Sequence, residues 1–307
     1  MSKIAVITPY TNTQQYKVRK KLYLQFAQYI KQCGLDLFTV ELAINDQPFE
    51  VTENNNPFHL QIRGNQEFWF KENLQQIMID RLPKRYDTVL LIDGDCMFTN
   101  PNWIQDTLNQ LEQTPVIQLW SQYVNLGPDL HQLDKPTYSF TYTYNHSINT
   151  GKNKIYGAPG LAWGWKRSIL DKIGMMECCI VGGGDTRMVH GMINDLQTTL
   201  SIDENITSYT AVNGHHRSML KWAENAYDVL DGNIGYINNL AIHYFHGSKK
   251  NRAYTKRHEI LVEHKYDPEL DLVKDSQGLL ILNPNKTEMI KDISEYFKSR
   301  NEDSTEV

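Results

Sequence analysis

The chain opens with alternating strand-like and helix-like segments. Lys3–Thr8 is a short run of apolar and β-branched residues that stops at the turn-forming residues Pro9–Asn12. The next segment, Tyr16–Gln32, has the spaced apolar positions of an amphipathic helix, and Gly34 follows it as a helix stop would. The pattern therefore predicts a strand and then a helix.

Three further segments continue this alternation. Leu37–Ile44 predicts a second strand, Phe68–Leu82 a helix ended by Pro83, and Thr88–Ile92 a third strand. The third strand is apolar at nearly every position, which is typical of a strand buried on both faces of a parallel sheet. Strands that alternate with helices predict an α/β fold with a doubly wound, mostly parallel sheet.

The later part of the chain is less regular. Val116–Trp120 and Ala241–Phe245 predict strands, while residues 125–154 lack clear periodicity and predict a long loop. Loops of that length are often functional. The last residues, Ser299–Val307, predict a solvated tail. Because no internal repeat or strong linker interrupts the pattern, we expect one elaborated domain.

Composition supports a folded globular protein. The 307 residues carry a net charge of −5, and 40% of them are hydrophobic. No window approaches the roughly 20 apolar residues of a membrane span, and no secretory signal pattern is visible at the start. The four cysteines show no C-x-x-C spacing. We therefore expect a cytoplasmic protein with reduced thiols and no membrane partner.

The sharpest chemical feature is Asp93-Gly94-Asp95, directly after the third strand. Open α/β sheets bind ligands at the carboxyl ends of their strands. Two carboxylates at such an end can share one Mg²⁺ or Mn²⁺ ion, which in turn bridges to phosphate oxygens. Gly94 would allow the backbone to come close to a ligand. The alternative is an ordinary turn, since Asp and Gly are common turn residues.

The surrounding sequence, YDTVLLIDGDCMF, resembles the DxD motif of glycosyltransferases of the GT-A fold, which is Rossmann-like and binds nucleotide-sugars. Three later segments resemble the same plan in the same order: GAPGLAWGW at 157–165, GGGD at 182–185 and HYFHGSK at 243–249. The resemblance implies a metal-dependent transferase domain at 1–265, with a nucleotide-binding half at 1–120 and an acceptor half at 121–265. Residues 266–307 would form a helical extension and a flexible tail.

The resemblance also implies roles for particular residues. Asp93, Asp95 and His243 would hold the Mn²⁺ or Mg²⁺ ion, with Asp95 as the firmer ligand. Asp185 would be the catalytic base of an inverting enzyme, or would bind the donor sugar in a retaining one. Residues expected at the donor are Thr8, Tyr10, Arg63, Asn73, Gly94 and Lys249. Residues expected at the acceptor are Trp163, Trp165, Gly183, Gly184, His246, Arg252 and Tyr254.

Structural alternatives stay open for several of these residues. Gly182–Gly184 would serve equally as a plain loop, and Trp163 and Trp165 as core residues. In a continuous strand His243 and His246 would face opposite sides. Unless the strand ends between them, only one of the two is therefore expected as a ligand, and His243 is preferred. His215-His216 is expected to be a surface pair.

A basic segment at 243–258 bears on the acceptor. It holds five of the 31 lysines and arginines and no acid, so 26 basic and 36 acidic residues give the rest of the chain a charge of −10. Such a segment can hold the donor diphosphate and a phosphate-bearing acceptor, and Tyr254 is placed to stack on a base.

The combination of IDGDC, GGGD and HYFHG with a following R-x-Y resembles enzymes that glycosylate hydroxymethylated DNA pyrimidines, including base J-type and phage enzymes. This resemblance implies a UDP-sugar donor and a DNA acceptor, in the host cytoplasm if the protein is phage-encoded. The alternatives are a transferase for a bacterial surface or capsular glycan and a non-catalytic nucleotide-sugar-binding module.

Overall fold

A computed structural model describes residues 3–148, 156–202, 214–254 and 256–307. The strands in these ranges are β1 (Ile4–Thr11), β2 (Asp36–Ile44), β3 (His59–Gly64), β4 (Thr88–Ile92), β5 (Cys96–Phe98), β6 (Val116–Gln118), β7 (Gln122–Asn125), β8 (Thr137–Tyr138), β9 (Ala162–Lys166), β10 (Ile234–Tyr236), β11 (Leu240–His243), β12 (Leu272–Lys274) and β13 (Leu280–Leu282).

The α-helices in the same ranges are α1 (Lys17–Gln32), α2 (Lys71–Arg81), α3 (Trp103–Gln113), α4 (Phe140–Asn145), α5 (Arg167–Ile173), α6 (Gly184–Met192), α7 (Leu196–Ile202), α8 (Gly214–Leu230), α9 (Glu259–Glu263), α10 (Pro268–Asp271) and α11 (Thr287–Ser299). Short 3₁₀ helices cover Lys249–Arg252 and Lys256–His258. None of the helices in the described residues has both the length and the apolar composition that crossing a membrane requires.

A seven-stranded sheet in the order β10-β6-β9-β4-β1-β2-β3 forms the centre of the molecule. Its strands pair in parallel except for β9, which runs antiparallel to both β4 and β6. A second sheet has the order β5-β11-β7-β8. The predicted fold class, α/β with a mostly parallel central sheet in a single domain, is confirmed.

Hydrophobic cores lie on both faces of the central sheet. In β4, Val89 and Leu91 belong to one core, while Leu90 and Ile92 belong to the other. Helices α1 and α3 pack against the second core, and α2, α5, α6 and α8 pack against the first. Because successive side chains of a strand point to opposite faces, the apolar run of β4 serves both layers. The sheet is doubly wound, as predicted.

Gly164 marks a tight point where β9 passes between β4 and β6. A Cβ at this position would lie 3.0 Å from Leu119 Cδ2, 3.2 Å from Leu90 Cδ2 and 3.3 Å from Ile117 Cγ1. We expect Gly164→Ala to lower the free energy of unfolding by about 1–3 kcal/mol, because a filled core accepts an added methyl group only with strain.

Urea denaturation of the variant measures this difference. Lys166→Ala, at the end of the same strand, is the control and should change the free energy of unfolding by no more than about 0.5 kcal/mol. A Gly164→Ala variant as stable as the wild type would contradict the packing described here.

Several predicted elements differ from the structure. The helix predicted from Phe68 begins at Lys71, because Phe68 and Phe70 are buried in the core and the Trp69 amide donates to the Ile180 carbonyl at 2.7 Å. The predicted long loop at 125–154 is wrong only in part: 137–145 contain β8 and α4, while 126–136 contain neither a named helix nor a named strand. Residues 149–155 lie outside the described residues.

One prediction of surface exposure is wrong, and a second is wrong at two residues. His215 and His216 lie on α8 and are buried rather than forming a surface pair. In the predicted solvated tail, Arg300 and Glu302 are buried. Their side chains line the cavity described below.

Candidate active site

Asp93, Gly94 and Asp95 form the turn that connects β4 to β5. The turn is closed by the Cys96 amide, which donates to the Asp93 carbonyl at 3.1 Å. Beneath it, buried Thr8 donates its hydroxyl to the Ile92 carbonyl at 2.8 Å and so ties the end of β4 to β1. The two carboxylates therefore stand at the carboxyl end of a central parallel strand, where α/β proteins bind ligands.

The second sheet brings two histidines to this turn. β11 pairs antiparallel with β5 so that His243 lies opposite Cys96, and its Nε2 atom is 3.8 Å from Asp95 Oδ2. β11 ends at His243. The chain then turns, and His246 Nε2 comes to 2.9 Å from the same Asp95 oxygen. The two histidines therefore lie together at Asp95, because no strand continues from one to the other.

The chemistry of this group fits a divalent cation. Ligand atoms of Asp95, His243 and His246 all lie within 4.8 Å of one another. The second oxygen of Asp95, Oδ1, is buried and has no hydrogen-bond partner within the described residues. A mixed set of carboxylate oxygen and imidazole nitrogen atoms is suited to ions such as Mn²⁺.

Asn125 orients His243 for such a role. It lies opposite His243 in the parallel pairing of β7 with β11, and its Oδ1 atom is 2.8 Å from His243 Nδ1. Burial lowers the pKa of His243 to about 3, so the ring is neutral at pH 7. With its Nδ1–H donated to Asn125, the ring presents the lone pair of Nε2 toward Asp95, as metal-binding histidines do.

The first aspartate of the motif has a different partner. Lys71 Nζ lies 2.5 Å from Asp93 Oδ1. Burial raises the pKa of Asp93 even though Lys71 opposes the shift. Burial also acts against ionisation of Asp95, but the neighbouring histidines and Arg252 outweigh it and hold the pKa of Asp95 well below its usual range. Of the two carboxylates, Asp95 is therefore the more readily ionised.

A cavity of about 530 Å³ extends from this turn and has a second acidic group on its wall. Asp185 lies in the first turn of α6, after a glycine run in which Gly182 and Gly183 have φ values of +91° and +86°. A Cβ on Gly184 would lie 2.7 Å from Glu72 Oε1, and one on Gly160 would lie 2.7 Å from Asp185 Oδ2. The glycines at 160 and 184 thus leave room for the two carboxylates.

Glu72 makes stability depend on pH. Burial, opposed by the charge of Lys71, raises the pKa of Glu72 from its ordinary value of 4.5 to about 7. The folded chain then holds the proton of Glu72 more tightly than the unfolded chain does. Protonated Glu72 therefore stabilises the fold fully below pH 4.5, and this stabilisation is lost as the pH rises to about 7. Relative to Glu72→Gln, the wild type should lose on the order of 3 kcal/mol of unfolding free energy across this window.

Urea unfolding of both proteins in EDTA across this pH window measures the difference. Glu112→Gln, at an exposed position on α3, is the control and should follow the wild-type profile. Stability profiles of the wild type and Glu72→Gln that run parallel would show that Glu72 does not titrate in this range.

Four arginines also line the cavity. This basic wall consists of Arg19, Arg252, Arg257 and Arg300. Arg252 donates from Nη1 to the Tyr254 hydroxyl at 3.1 Å, and its Nη2 lies 3.0 Å from His246 Nε2. The guanidinium of Arg300 lies 5.4 Å from the centre of the Trp69 ring. The basic segment predicted at 243–258 therefore contributes to the cavity as well as to the surface.

The structure brings most of the predicted site residues to the cavity. Lining residues that the sequence analysis singled out are Tyr10, Asp93, Gly94, Asp95, Gly183, Asp185, His243, His246, Lys249, Arg252 and Tyr254. Tyr10 donates its hydroxyl to Glu50 Oε2 at 2.7 Å, so its ring faces the cavity with the hydroxyl already engaged. Lys249 is 2.5 Å from Asp134 Oδ2 and remains exposed at the rim.

Other predicted residues lie elsewhere. Arg63 is exposed and donates to the carbonyls of Asn45 and Gln47. Asn73 is buried. Its side chain donates to Glu177 Oε1 and to the Gly278 carbonyl, and accepts from the Leu280 amide. Both side chains make hydrogen bonds within the fold, and neither residue lines the cavity.

The two tryptophans of the glycine-aromatic segment also lie outside the main cavity. Trp165 is a core residue of β9. Trp163 donates its indole N–H to the Pro159 carbonyl at 2.7 Å. Both rings line a small apolar pocket that Asp185 also borders. Gly184 and Thr8 do not line the main cavity. Gly184 packs against Glu72, and the Thr8 hydroxyl bonds the end of β4.

Comparisons with known proteins give limited similarity. No family model matches the chain, and no curated protein matches it. Among solved structures, a Drosophila β1,4-galactosyltransferase 7 mutant in complex with manganese, UDP-Gal and xylobiose shares 15% identity over 61% of this chain and 59% of that chain, with a TM-score of 0.34. This chain therefore spans less than two thirds of that protein.

Two further structures cover more of the chain. S. aureus TarS 1–349 in complex with UDP-GlcNAc shares 11% identity over 97% of this chain and 73% of that chain, with a TM-score of 0.42. A glucose-1-phosphate thymidylyltransferase from Bacillus anthracis, itself described as putative, shares 11% identity over 78% of this chain and 88% of that chain, with a TM-score of 0.38. Similarities of this size assign no function.

Proposed function

We propose that this protein is a metal-dependent glycosyltransferase of the GT-A type that takes a sugar from a nucleotide-sugar donor. The observation that carries the proposal is the meeting of Asp95 with His243 and His246 at one end of a cavity whose walls also hold Asp185 and four arginines. Its volume of about 530 Å³ lies in the range of small-molecule binding sites.

Each wall has a part in the proposed reaction. Asp95, His243 and His246, with Asp93 close by, would hold Mn²⁺ or Mg²⁺, an ion that neutralises charge on a departing diphosphate. The basic wall would bind the diphosphate oxygens through charge-assisted hydrogen bonds. The ring of Tyr10, at the end of β1, would lie against the nucleoside, for which we propose uridine first. The proposed nucleotide-binding half is 1–120 and the acceptor half 121–265.

Asp185, on the cavity wall, is the residue that we propose as the base for the acceptor. In an inverting reaction it takes the proton of the acceptor hydroxyl as that oxygen bonds to the anomeric carbon, and the bond from that carbon to the phosphate oxygen breaks with its electron pair. In a retaining reaction it binds hydroxyls of the donor sugar. The anomeric configuration of the product, read by NMR, separates the two roles.

A donor screen tests the proposal. The purified protein is incubated with a panel of UDP- and GDP-sugars and Mn²⁺, and release of the nucleoside diphosphate is measured. Metal-dependent hydrolysis or transfer with one donor is the expected result. Nucleotide binding without turnover of any donor would indicate a binding module, and absence of both binding and turnover would contradict the proposal.

For the acceptor we propose a phosphate-bearing molecule, with a hydroxymethylpyrimidine in DNA as the first candidate. Support comes from the basic segment, whose Lys249, Lys250 and Lys256 are exposed beside the cavity rim residue Tyr254. A base in a duplex would have to be flipped out to reach Asp185. A bacterial surface or capsular glycan is the competing acceptor.

Binding measurements separate these acceptors. DNA affinity that falls with salt and with Lys250→Ala and Lys256→Ala would favour DNA, since phosphate contacts are salt-dependent. Lys221→Ala, on the exposed side of α8, is the matched control. Indifference to DNA, together with transfer to a glycan, would assign the glycan.

A further inference from the structure

One part of the cavity wall comes from the segment that follows α11, Arg300–Asp303. Its central side chain is Glu302, which is 2% exposed. A carboxylate buried to this extent is costly unless cations surround it. The partners of Glu302 therefore indicate what the segment does.

Three side chains converge on the Glu302 carboxylate. Arg19 binds it through two hydrogen bonds, from Nε to Oε2 at 2.6 Å and from Nη2 to Oε1 at 2.7 Å. Arg300 donates from Nε to Oε1 at 2.7 Å, and His246 Nδ1 lies 3.3 Å from Oε2. Glu302 thus joins two arginines of the basic wall to one histidine of the candidate metal group.

The backbone is adapted to this contact. Gly247, directly after His246, has a φ of +86°, and a Cβ there would lie 2.9 Å from the Cα of Glu302 and 3.2 Å from the Asn301 carbonyl oxygen. Only glycine combines this conformation with this close approach. The loop after β11 and the Arg300–Asp303 segment therefore pack backbone to backbone.

We infer that Glu302 is a positioning residue for the candidate metal site. By accepting the Nδ1–H of His246, it directs the opposite ring nitrogen, Nε2, at Asp95, where Nε2 would offer its lone pair to a metal ion in place of a proton. Carboxylates that accept from the outer nitrogen of a histidine orient it and raise its basicity as a ligand. The inference rests on the proposed function, because it assigns Glu302 to the metal group of that function.

The test uses Glu302→Gln and Glu302→Ala in the full chain, with Asp303→Asn as the matched control. Asp303 accepts from the amides of Lys17 and Val18 at 3.0 and 2.9 Å, so it caps α1, and within the described residues it has no hydrogen bond or ion pair to the metal group. One readout is the affinity for Mn²⁺ alone, measured by electron paramagnetic resonance. The other is the ¹⁵N shift of the His246 ring nitrogens without metal, assigned by comparison with His246→Gln.

We expect both Glu302 variants to bind Mn²⁺ about 10–100-fold more weakly and to show a His246 Nδ1 shift that differs from that of the wild type. Asp303→Asn should lower the melting temperature and leave both readouts unchanged. A folded Glu302 variant with wild-type Mn²⁺ affinity and wild-type ¹⁵N shifts would overturn the inference. Wild-type protein that binds no Mn²⁺ would overturn the proposed metal dependence instead, and the ¹⁵N shifts would still decide whether Glu302 holds the ring.

Discussion

Asp95→Asn should abolish sugar transfer while the chain stays folded. The substitution removes the ionised carboxylate on which His243 and His246 converge and places an amide where Oδ1 is now buried without a partner in the described structure. An amide neither carries the charge nor offers two oxygens to a cation. We expect the turnover number to fall at least ~10³-fold, the size of effect typical of losing a charge-stabilising group at a reacting centre.

Nucleoside diphosphate release with Mn²⁺ measures the loss, and Mn²⁺ titration measures the accompanying drop in metal affinity. Asp129→Asn is the control, because Asp129 is an exposed aspartate whose near partner is His131. The melting temperature of Asp95→Asn should stay close to that of the wild type. Transfer that persists in this variant would place the metal, or the reaction, elsewhere.

Asp185→Asn separates chemistry from binding. Asp185 borders the cavity through its side chain, and its Oδ1 atom accepts from the Thr186 amide at 2.8 Å, a bond that the oxygen of asparagine can keep. Metal and nucleotide affinity should therefore stay within a few-fold of wild type. Transfer should fall by about 10²–10⁴-fold, the usual contribution of a general base.

Isothermal titration with UDP and Mn²⁺, alongside single-turnover transfer, gives the two measurements. Thr186→Ala, the adjacent residue on the first turn of α6, is the matched control and should retain transfer. Equal loss of nucleotide binding and of transfer in Asp185→Asn would assign Asp185 to donor binding. Unchanged transfer would remove it from the reaction.

The elements with strong local signals could be predicted from the sequence. Thr88–Ile92 forms β4 with the predicted bounds, because an apolar run of this length between turns is suited to a strand buried on both faces. The carboxylates after it could be placed at the carboxyl end of the strand for the same reason. β5 was missed because three residues carry too little pattern to distinguish a strand from a turn.

The contacts between distant segments could not be predicted. Asn125 meets His243 through the pairing of β7 with β11, and no local pattern encodes that register. Glu302 looked like part of a solvated tail because its neighbours are polar and charged. Its burial depends on Arg19 and Arg300, which neutralise it only in the folded chain. Arg63 and Asn73 were expected at the donor, but their side chains make hydrogen bonds within the fold and do not line the cavity.

The pairing of β5 with β11 has a consequence for how the protein acquires its activity. Asp95 and His243 belong to segments far apart in the chain and meet only when these two strands are in register. Bringing such distant segments together has a loop-closure entropy cost that the local strand–helix contacts do not carry. The metal-binding geometry therefore exists only once this long-range pairing has formed. Binding of a metal ion would then show that β5 and β11 have paired in the native register, which a measurement of helix content cannot show.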